Sequence, residues 1–407
     1  MCAGRKWKLK MKRNLKHPIA IFGLPLDSLT ADGAVGVIEG MILSGGTHQI
    51  ATANLDFWLN SISDSHLHRI IAGCSLVLPD GMPLVWVSKL LGCPLADRVT
   101  GVDLVPRLAE LSTRKGYRIF LLGGKGDVAE RAKALLEAKF RGVQIVGTYA
   151  PSEEEMEQLN HGKMLELIHA ATPEILLVAL GNPKQEKWIW MNRKRLGVPV
   201  AIGVGGSFEI IAGDMVRAPR WVQRCGLEWA MRLVQEPQRL WPRYLRDFLG
   251  LARQLPLTLL AGWIQRPYLG PSHVATVMTP RAMHAYVHGR LGSEVAQALQ
   301  EASAASIAGG VVMVVHLTGV RQITAAGLGA LMGVRRQLLD GGLTAWLAGL
   351  QFRHRFLLHA WCVNPLFDEW DSAVAYGRFV VKGLETTARV ELHGEPETLA
   401  AQTRARG

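Results

Sequence analysis

The 407-residue chain is expected to fold as an α/β protein on three observations. Short apolar runs alternate with amphipathic stretches from Ile19 to about Val204. The same alternation returns after Ser272, and an arginine- and tryptophan-rich segment lies between the two regions. Each alternating region reads as a sheet covered by helices, and the segment between them as helical.

In the first region the expected strands are Ile19–Leu24, Gln49–Ala53, Leu76–Leu78, Arg118–Leu122, Gln144–Val146, Ile175–Leu180 and Pro199–Val204. The clearest helix runs from Ser152 to Ala171, with Ser152 as N-cap, Glu155 completing a capping box and Pro173 closing it. After Gly213, Arg217, Arg220, Arg224, Arg232, Arg239, Arg243, Arg246 and Arg253 are interleaved with Trp221, Trp229, Trp241 and several leucines. Arginines that snorkel toward phosphate and tryptophans at headgroup level describe an interfacial helix. A helical hairpin capping the domain is the alternative.

Pro267, Gly270 and Pro271 mark a linker over residues 265–272. The second region then offers strands at Val274–Met278, Ala285–Val287, Val311–Leu317 and Thr344–Leu347, with helices at about Ser293–Ala305, Ala325–Leu339 and Phe352–Ala360. The expected organisation is a basic disordered arm (1–17), a first domain (18–213), an arginine-rich appendage (214–264), the linker, a small second domain (273–380) and a flexible tail (381–407).

With 49% hydrophobic residues the chain can bury a sizeable core, and its length suits two or three domains. A formal charge of +12 implies an anionic partner: nucleic acid, acidic lipid or a phosphorylated substrate. The run from Arg5 to Lys16 contains no acid; it reads as a solvated arm, or as sequence ahead of a true start at Met11. Five scattered cysteines lack metal-ligand spacing and read as reduced cytoplasmic thiols. The apolar window from Phe248 to Ile264 is broken by Arg253, Gln254 and Pro256, which suits lying on a membrane rather than crossing it.

Chemistry-bearing groups gather at the expected strand ends, where an α/β domain forms its ligand crevice. Thr52, Asn54 and Asp56 alternate, so their side chains start on one face and can grip a sugar. Capping competes, and it suits Asp56 better than Thr52 or Asn54. Asp80 follows Leu76-Val77-Leu78 and precedes Gly81, which lets the chain turn sharply; it is a strand-end base or a turn aspartate. Arg98, just before Gly101, can fork onto a diphosphate, and Asp103 reads as a helix cap. In Gly181-Asn182-Pro183-Lys184-Gln185-Glu186, Pro183 suits a first helical turn and Gln185 can hydrogen-bond a base or sugar. The amides of Gly205 and Gly206 can cradle phosphate. Gly124-Lys125-Gly126-Asp127-Val128-Ala129 has a G-x-G-x-x-A pattern but lacks the context of a dinucleotide fold. No Walker sequence, nucleophile elbow or D-x-D pair supports NTP hydrolysis or a metal-held diphosphate.

Five ordered motifs carry a resemblance: Thr52-Ala-Asn54-Leu-Asp56-Phe, Pro79-Asp80-Gly81-Met-Pro, Arg98-Val-Thr-Gly101-Val-Asp103, Gly181 to Glu186, and Arg217-Ala-Pro219 with Gly226-Leu-Glu228-Trp229. Over residues 18–250 the chain resembles the WecG/TagA/CpsF glycosyltransferases. The resemblance implies a Rossmann-like domain with a helical appendage. It also implies an inverting, metal-independent enzyme that needs no cofactor and moves a sugar from a UDP-sugar to a polyprenyl-diphosphate-linked saccharide. That transfer belongs to cell-surface polysaccharide synthesis at the cytoplasmic face of the membrane, with a donor of N-acetylmannosamine, mannosaminuronate or glucose type.

In that reading Asp80 is the general base and Arg98 stabilises the departing UDP. Thr52, Asn54, Gly81, Gln185, Glu186, Gly205 and Gly206 bind substrate. Arg217, Arg220, Arg224, Arg232, Arg239 and Arg243 meet membrane or lipid diphosphate. Glu209 departs from the Asp that is commoner after Gly-Ser-Phe.

The second region resembles a STAS domain through Val311-Val-Met-Val-Val-His-Leu317, Gly319-Val320 and Ile323-Thr324-Ala325-Ala326-Gly327-Leu328-Gly329-Ala330-Leu331. Thr324-Ala325 stands where anti-sigma antagonists of that family carry Asp-Ser, so the phosphorylated serine is missing. A docking or regulatory module and a merely stabilising domain are both open. The expected partners are a UDP-sugar, a polyprenyl-diphosphate acceptor, anionic membrane and, through the STAS-like domain, a protein; a homo-oligomer is left open and nucleic acid is not expected. The rival to an enzyme is a non-catalytic scaffold or sensor of nucleotide or lipid.

Overall fold

The computed structural model describes residues 17–152, 161–265 and 267–370. The basic arm, the start of the helix expected from Ser152, the tail, and the side chains of Arg220 and Arg224 lie outside the described residues.

The chain opens with strands β1 (Ile19–Ile21) and β2 (Leu24–Leu26), which pair antiparallel. This corrects the single strand expected over Ile19–Leu24. Phe22 and Gly23 both take positive φ, 52° and 79°, which is the backbone of a tight hairpin turn.

Six strands then form a parallel sheet: β3 (His48–Ala53), β4 (Leu76–Pro79), β5 (Arg118–Gly123), β6 (Gln144–Tyr149), β7 (Ile175–Ala179) and β8 (Val200–Gly203). Their spatial order is β4-β3-β8-β7-β5-β6. Except for β6, a half-buried edge strand, the strands are buried on both faces, as a sheet with helices on each side requires. Leu76 and Leu78 of β4 enter one core, and Val77 enters the other.

The covering helices are α1 (Ala31–Ser44), α2 (Leu55–Ser63), α3 (Ser65–Ala72), α4 (Met82–Leu90), α5 (Gly101–Lys115), α6 (Val128–Lys139), α7 (His161–Ala171), α8 (Lys184–Asn192) and the short α9 (Ser207–Ile211). Gly101 is required by packing, because a Cβ there would come within 2.5 Å of Ser207 Oγ and 2.9 Å of the Val204 carbonyl. The start of α5 thereby approaches the end of β8.

The arginine-rich segment forms α10 (Arg220–Arg224), α11 (Glu228–Gln235) and α12 (Pro237–Ile264). The last is a 28-residue helix that continues through Arg253 and contains Pro242 and Pro256. Among the described residues no helix is long and apolar enough to cross a membrane.

The second region contains β9 (His273–Met278), β10 (Ala282–Leu291), β11 (Val312–Ile323) and β12 (Ala345–Ala348), with α13 (Ala296–Gly309), α14 (Ala325–Asp340) and α15 (Phe352–Ala360). β9 is antiparallel to β10, while β10, β11 and β12 are mutually parallel. β10 and β11 outrun their expected lengths. In β10 the alternation of His284, Tyr286 and His288 with Met283, Ala285 and Val287 hides the strand from a search for apolar runs.

The described residues through Asp368 form one compact unit. The core of the second region takes in Ala20, Ala72 and Ala261 from the first. Gln265, in the expected linker, exchanges two hydrogen bonds with Ile323, at 3.0 and 2.6 Å.

Candidate active site

The carboxyl ends of all six parallel strands open on one cavity of about 660 Å³. β4 contributes Asp80, β3 Thr52 and Asn54, β8 Val204 to Ser207, β7 Leu180 to Asn182, β5 Gly124 to Gly126, and β6 Pro151 and Ser152. Five strand intervals of ~4.8 Å make the crevice about 24 Å long. It suits a ligand of several linked units. Arg232 of α11 and Arg239, Leu240, Arg243 and Tyr244 of α12 complete its wall.

A second cavity of about 110 Å³ adjoins the first. Gly81, Met82, Arg98, Glu228, Trp229, Asp247 and Phe248 line it. Asn54, Asp56, Asp80, Thr100, Arg232, Arg243 and Tyr244 border both spaces, so Asp80 stands at their junction.

Asp80 is held by its backbone: its N–H donates to the Ala53 carbonyl at 2.8 Å, and the Val99 N–H donates to the Pro79 carbonyl at 2.8 Å. Among the described residues no group hydrogen-bonds its carboxylate. Burial pushes its pKa up to about 7, against the pull of Arg232 and Arg98 and with the help of Glu228 and Asp103. Such a carboxylate can accept a proton near neutral pH. Asp56, at the same junction, is ion-paired with Arg246.

Arg98 donates to Glu228 at 2.7 Å, and both side chains are largely buried. Glu228 also lies 3.8 Å from Arg217 and from Arg232. This hub places Arg98 in the smaller cavity with its charge countered. Arg217 pairs with Asp103 at 2.7 Å, which ties the start of the appendage to α5, and it borders neither cavity. Arg232, Arg239 and Arg243 do reach the cavity, and Arg239 also pairs with Glu236.

Two capping assignments change. Asn54, not Asp56, caps α2, its Oδ1 accepting from the Phe57 N–H at 3.1 Å. Thr100, not Asp103, caps α5, and its hydroxyl donates to Asp103 at 2.7 Å. Thr52 is 3% exposed and donates to the Gly203 carbonyl at 3.0 Å, which ties β3 to β8 while leaving it on the cavity wall.

Gly81 borders the smaller cavity in an extended conformation, φ −143°, so the turn there makes no demand for left-handed backbone. Gln185 is 1% exposed; it donates to Glu186 at 2.6 Å and accepts from the Gly205 N–H at 3.1 Å. Glu186 borders neither cavity; it lies behind Gln185, where it accepts from Asn182 at 3.0 Å. Its burial raises its pKa to about 7. Gly205 and Gly206 both line the larger cavity. A Cβ at Gly203 would come within 2.6 Å of Gln185 Nε2 and 2.8 Å of Glu186 Oε1, so a larger residue there would displace both side chains.

Several wall residues escape the sequence reading. The Gly124–Gly126 loop, set aside as a dinucleotide motif, lines the cavity, with Gly124 and Gly126 at φ 80° and 60°. Tyr244 and Asp247 lie one helical turn apart and face the site; their signal was the break in the arginine-leucine pattern by polar groups. Burial lifts Asp247 to about 6. No cluster of three or more metal-ligating side chains occurs among the described residues.

The family model for glycosyl transferases of the WecG/TagA/CpsF family matches residues 19–266, more than half of the chain. The chain belongs to this family. The match takes in the six-stranded sheet, both cavities and the appendage.

Among curated relatives, an N-acetylglucosaminyldiphosphoundecaprenol N-acetyl-beta-D-mannosaminyltransferase of Bacillus subtilis (strain 168) is 34% identical over 196 residues, covering 48% of this chain and 74% of its own. The enzyme of the same name from Staphylococcus aureus (strain MW2) is 27% identical over 231 residues, covering 56% and 89%. The unphosphorylated anti-sigma factor antagonist SpoIIAA aligns with 27% of this chain and 98% of its own, at 15% identity and a TM-score of 0.22.

Proposed function

We propose that the chain transfers a sugar from a UDP-sugar to a polyprenyl-diphosphate-linked saccharide, with inversion and without a metal ion. The observation that carries this reading is the position of Asp80 at the junction of two cavities. Its carboxylate is lifted to about 7, and it lies between a long crevice and a smaller pocket beneath the appendage.

The donor lies along the strand ends with its sugar toward Asp80 and its nucleoside toward the Gly124–Gly126 loop. The acceptor enters from the appendage side, where Trp229 and Phe248 offer apolar surface. Asp80 takes the proton of the acceptor hydroxyl as its oxygen attacks the anomeric carbon. The bond from that carbon to UDP breaks on the opposite face, and the electron pair leaves on a phosphate oxygen.

Arg232 and Arg243, which border both cavities, counter the charge that develops on the leaving diphosphate. Arg98, held by Glu228, contributes to the field at Asp80. The activity for which the relatives are named supports an acceptor ending in N-acetylglucosaminyl diphosphate lipid and a donor of N-acetylmannosamine type.

A panel of UDP-sugars screened for thermal protection, followed by transfer to a synthetic polyprenyl-diphosphate GlcNAc in the presence of chelator, tests this reading. Protection by one UDP-sugar and undiminished transfer are expected. Strict dependence on a divalent ion would assign the charge stabilisation to a metal rather than to arginine.

A further inference from the structure

We propose that Arg336, on the second domain, is a positioning residue for the site, clamping the edge strand that presents Asp80. The kinetic part of this proposal rests on the transferase reading; the structural part does not.

β4 is the edge of the six-stranded sheet, so one side of it lacks a ladder partner within that sheet. Asp27 fills that role. Its N–H donates to the Val77 carbonyl at 2.8 Å, and its Oδ2 accepts from the Val77 N–H at 2.7 Å. Val77 lies three residues before Asp80. Asp27 is 1% exposed, and a carboxylate so buried needs a counter-charge and filled lone pairs.

Arg336 supplies both. Its Nη1 donates to the two Asp27 oxygens, each at 3.2 Å, and to the Ser75 carbonyl at 3.2 Å; its Nη2 reaches the Pro25 carbonyl at 3.4 Å. One planar fork therefore joins the first hairpin, the start of β4 and the second domain.

Close packing delivers the guanidinium there. α14 lies against the N-terminal hairpin so tightly that a Cβ at Gly329 would overlap the Pro18 carbonyl, and one at Gly333 would touch Pro18 at 3.5 Å. The same domain grips the other wall of the site. Gln254 and Thr258 of α12 donate to the Ala360 carbonyl at 2.6 and 2.9 Å, on the helix that carries Arg243, Tyr244 and Asp247. The face of α14 that begins at Thr324 thus serves an internal contact, and the Thr324 hydroxyl is taken up in capping Gly327 and donating to Leu291.

A purely stabilising contact would lower the melting temperature and leave turnover of the folded protein intact. The test uses the full chain with Arg336→Met, Arg336→Lys and the double variant Asp27→Asn/Arg336→Gln, which keeps hydrogen bonding without buried charge. Hydrogen exchange is read on the peptide containing Val77, and kcat and donor KM on the folded fraction.

For Arg336→Met we expect exchange faster by about tenfold or more. We also expect kcat lower by about tenfold with donor KM within about twofold, because a displaced Asp80 harms the transition state more than donor binding. Arg336→Lys should fall between, and the double variant should return toward wild type in both readouts. Wild-type exchange or wild-type kcat in folded Arg336→Met overturns the proposal. If that variant does not fold, an Arg336→Lys protein identical to wild type in both readouts overturns it instead. Absence of transfer by the wild-type chain would refute the activity, and the exchange measurements alone would then decide the clamp.

Discussion

Asp80 and Asp56 border the same junction, and their surroundings separate their roles. Asp56 is ion-paired with Arg246, whereas Asp80, among the described residues, is fixed through its backbone and keeps its carboxylate available. Because burial raises the folded-state pKa of Asp80 from 3.8 to about 7, the folded protein binds that proton more tightly than the unfolded chain. The stability from this group is fully present below about pH 4 and is lost as pH rises through about 7. Asp80→Asn should therefore melt above wild type at pH 8, by roughly 2–4 °C for each kcal/mol recovered, with the gap closing toward pH 5. Thermal scans at the two pH values check this; a constant gap would contradict the raised pKa. Asp80 was legible in the sequence as a polar residue after an apolar run. The exchange of capping roles between Asn54 and Asp56 was not, because alternation along a strand and the first turn of a helix place the same three residues differently.

Helix α12 divides into two faces with different tasks. Leu240, Asp247, Thr258 and Ala261 are buried, and Arg243 and Tyr244 reach the cavity. Trp241, Leu245, Leu249, Leu260 and Trp263 are exposed, the last to 83%. Their spacing of three, four and eleven residues keeps them on one side of the helix, away from the buried set. We propose that this apolar stripe, beside a cationic site, lies on a membrane. Replacing Trp241, Leu249 and Trp263 together by Ala should lower partition onto anionic vesicles at least about tenfold while leaving UDP-sugar binding unchanged. Unchanged co-sedimentation would refute the membrane role. The arginine-tryptophan interleaving announced this helix, but not that Arg243 turns inward; Arg217 and Arg243 look alike in sequence, yet the fold pairs Arg217 with Asp103 and sets Arg243 on the cavity wall.

The whole molecule places one long crevice along the ends of a parallel sheet and then closes it with elements from elsewhere in the chain. The sheet was readable because its strands are continuous apolar runs, and the motif-bearing loops follow directly from their ends. The Glu228 hub and the clamp of Arg336 on Asp27 were not readable, since they join residues 130 and 309 positions apart and depend on tertiary packing alone. The functional reading stands on Asp80 as the base at the meeting point of donor and acceptor. Transfer by Asp80→Asn, measured beside its UDP-sugar affinity, tests it. The reading predicts turnover lower by about 10²–10⁴-fold with affinity essentially retained. Wild-type turnover by that variant would contradict it.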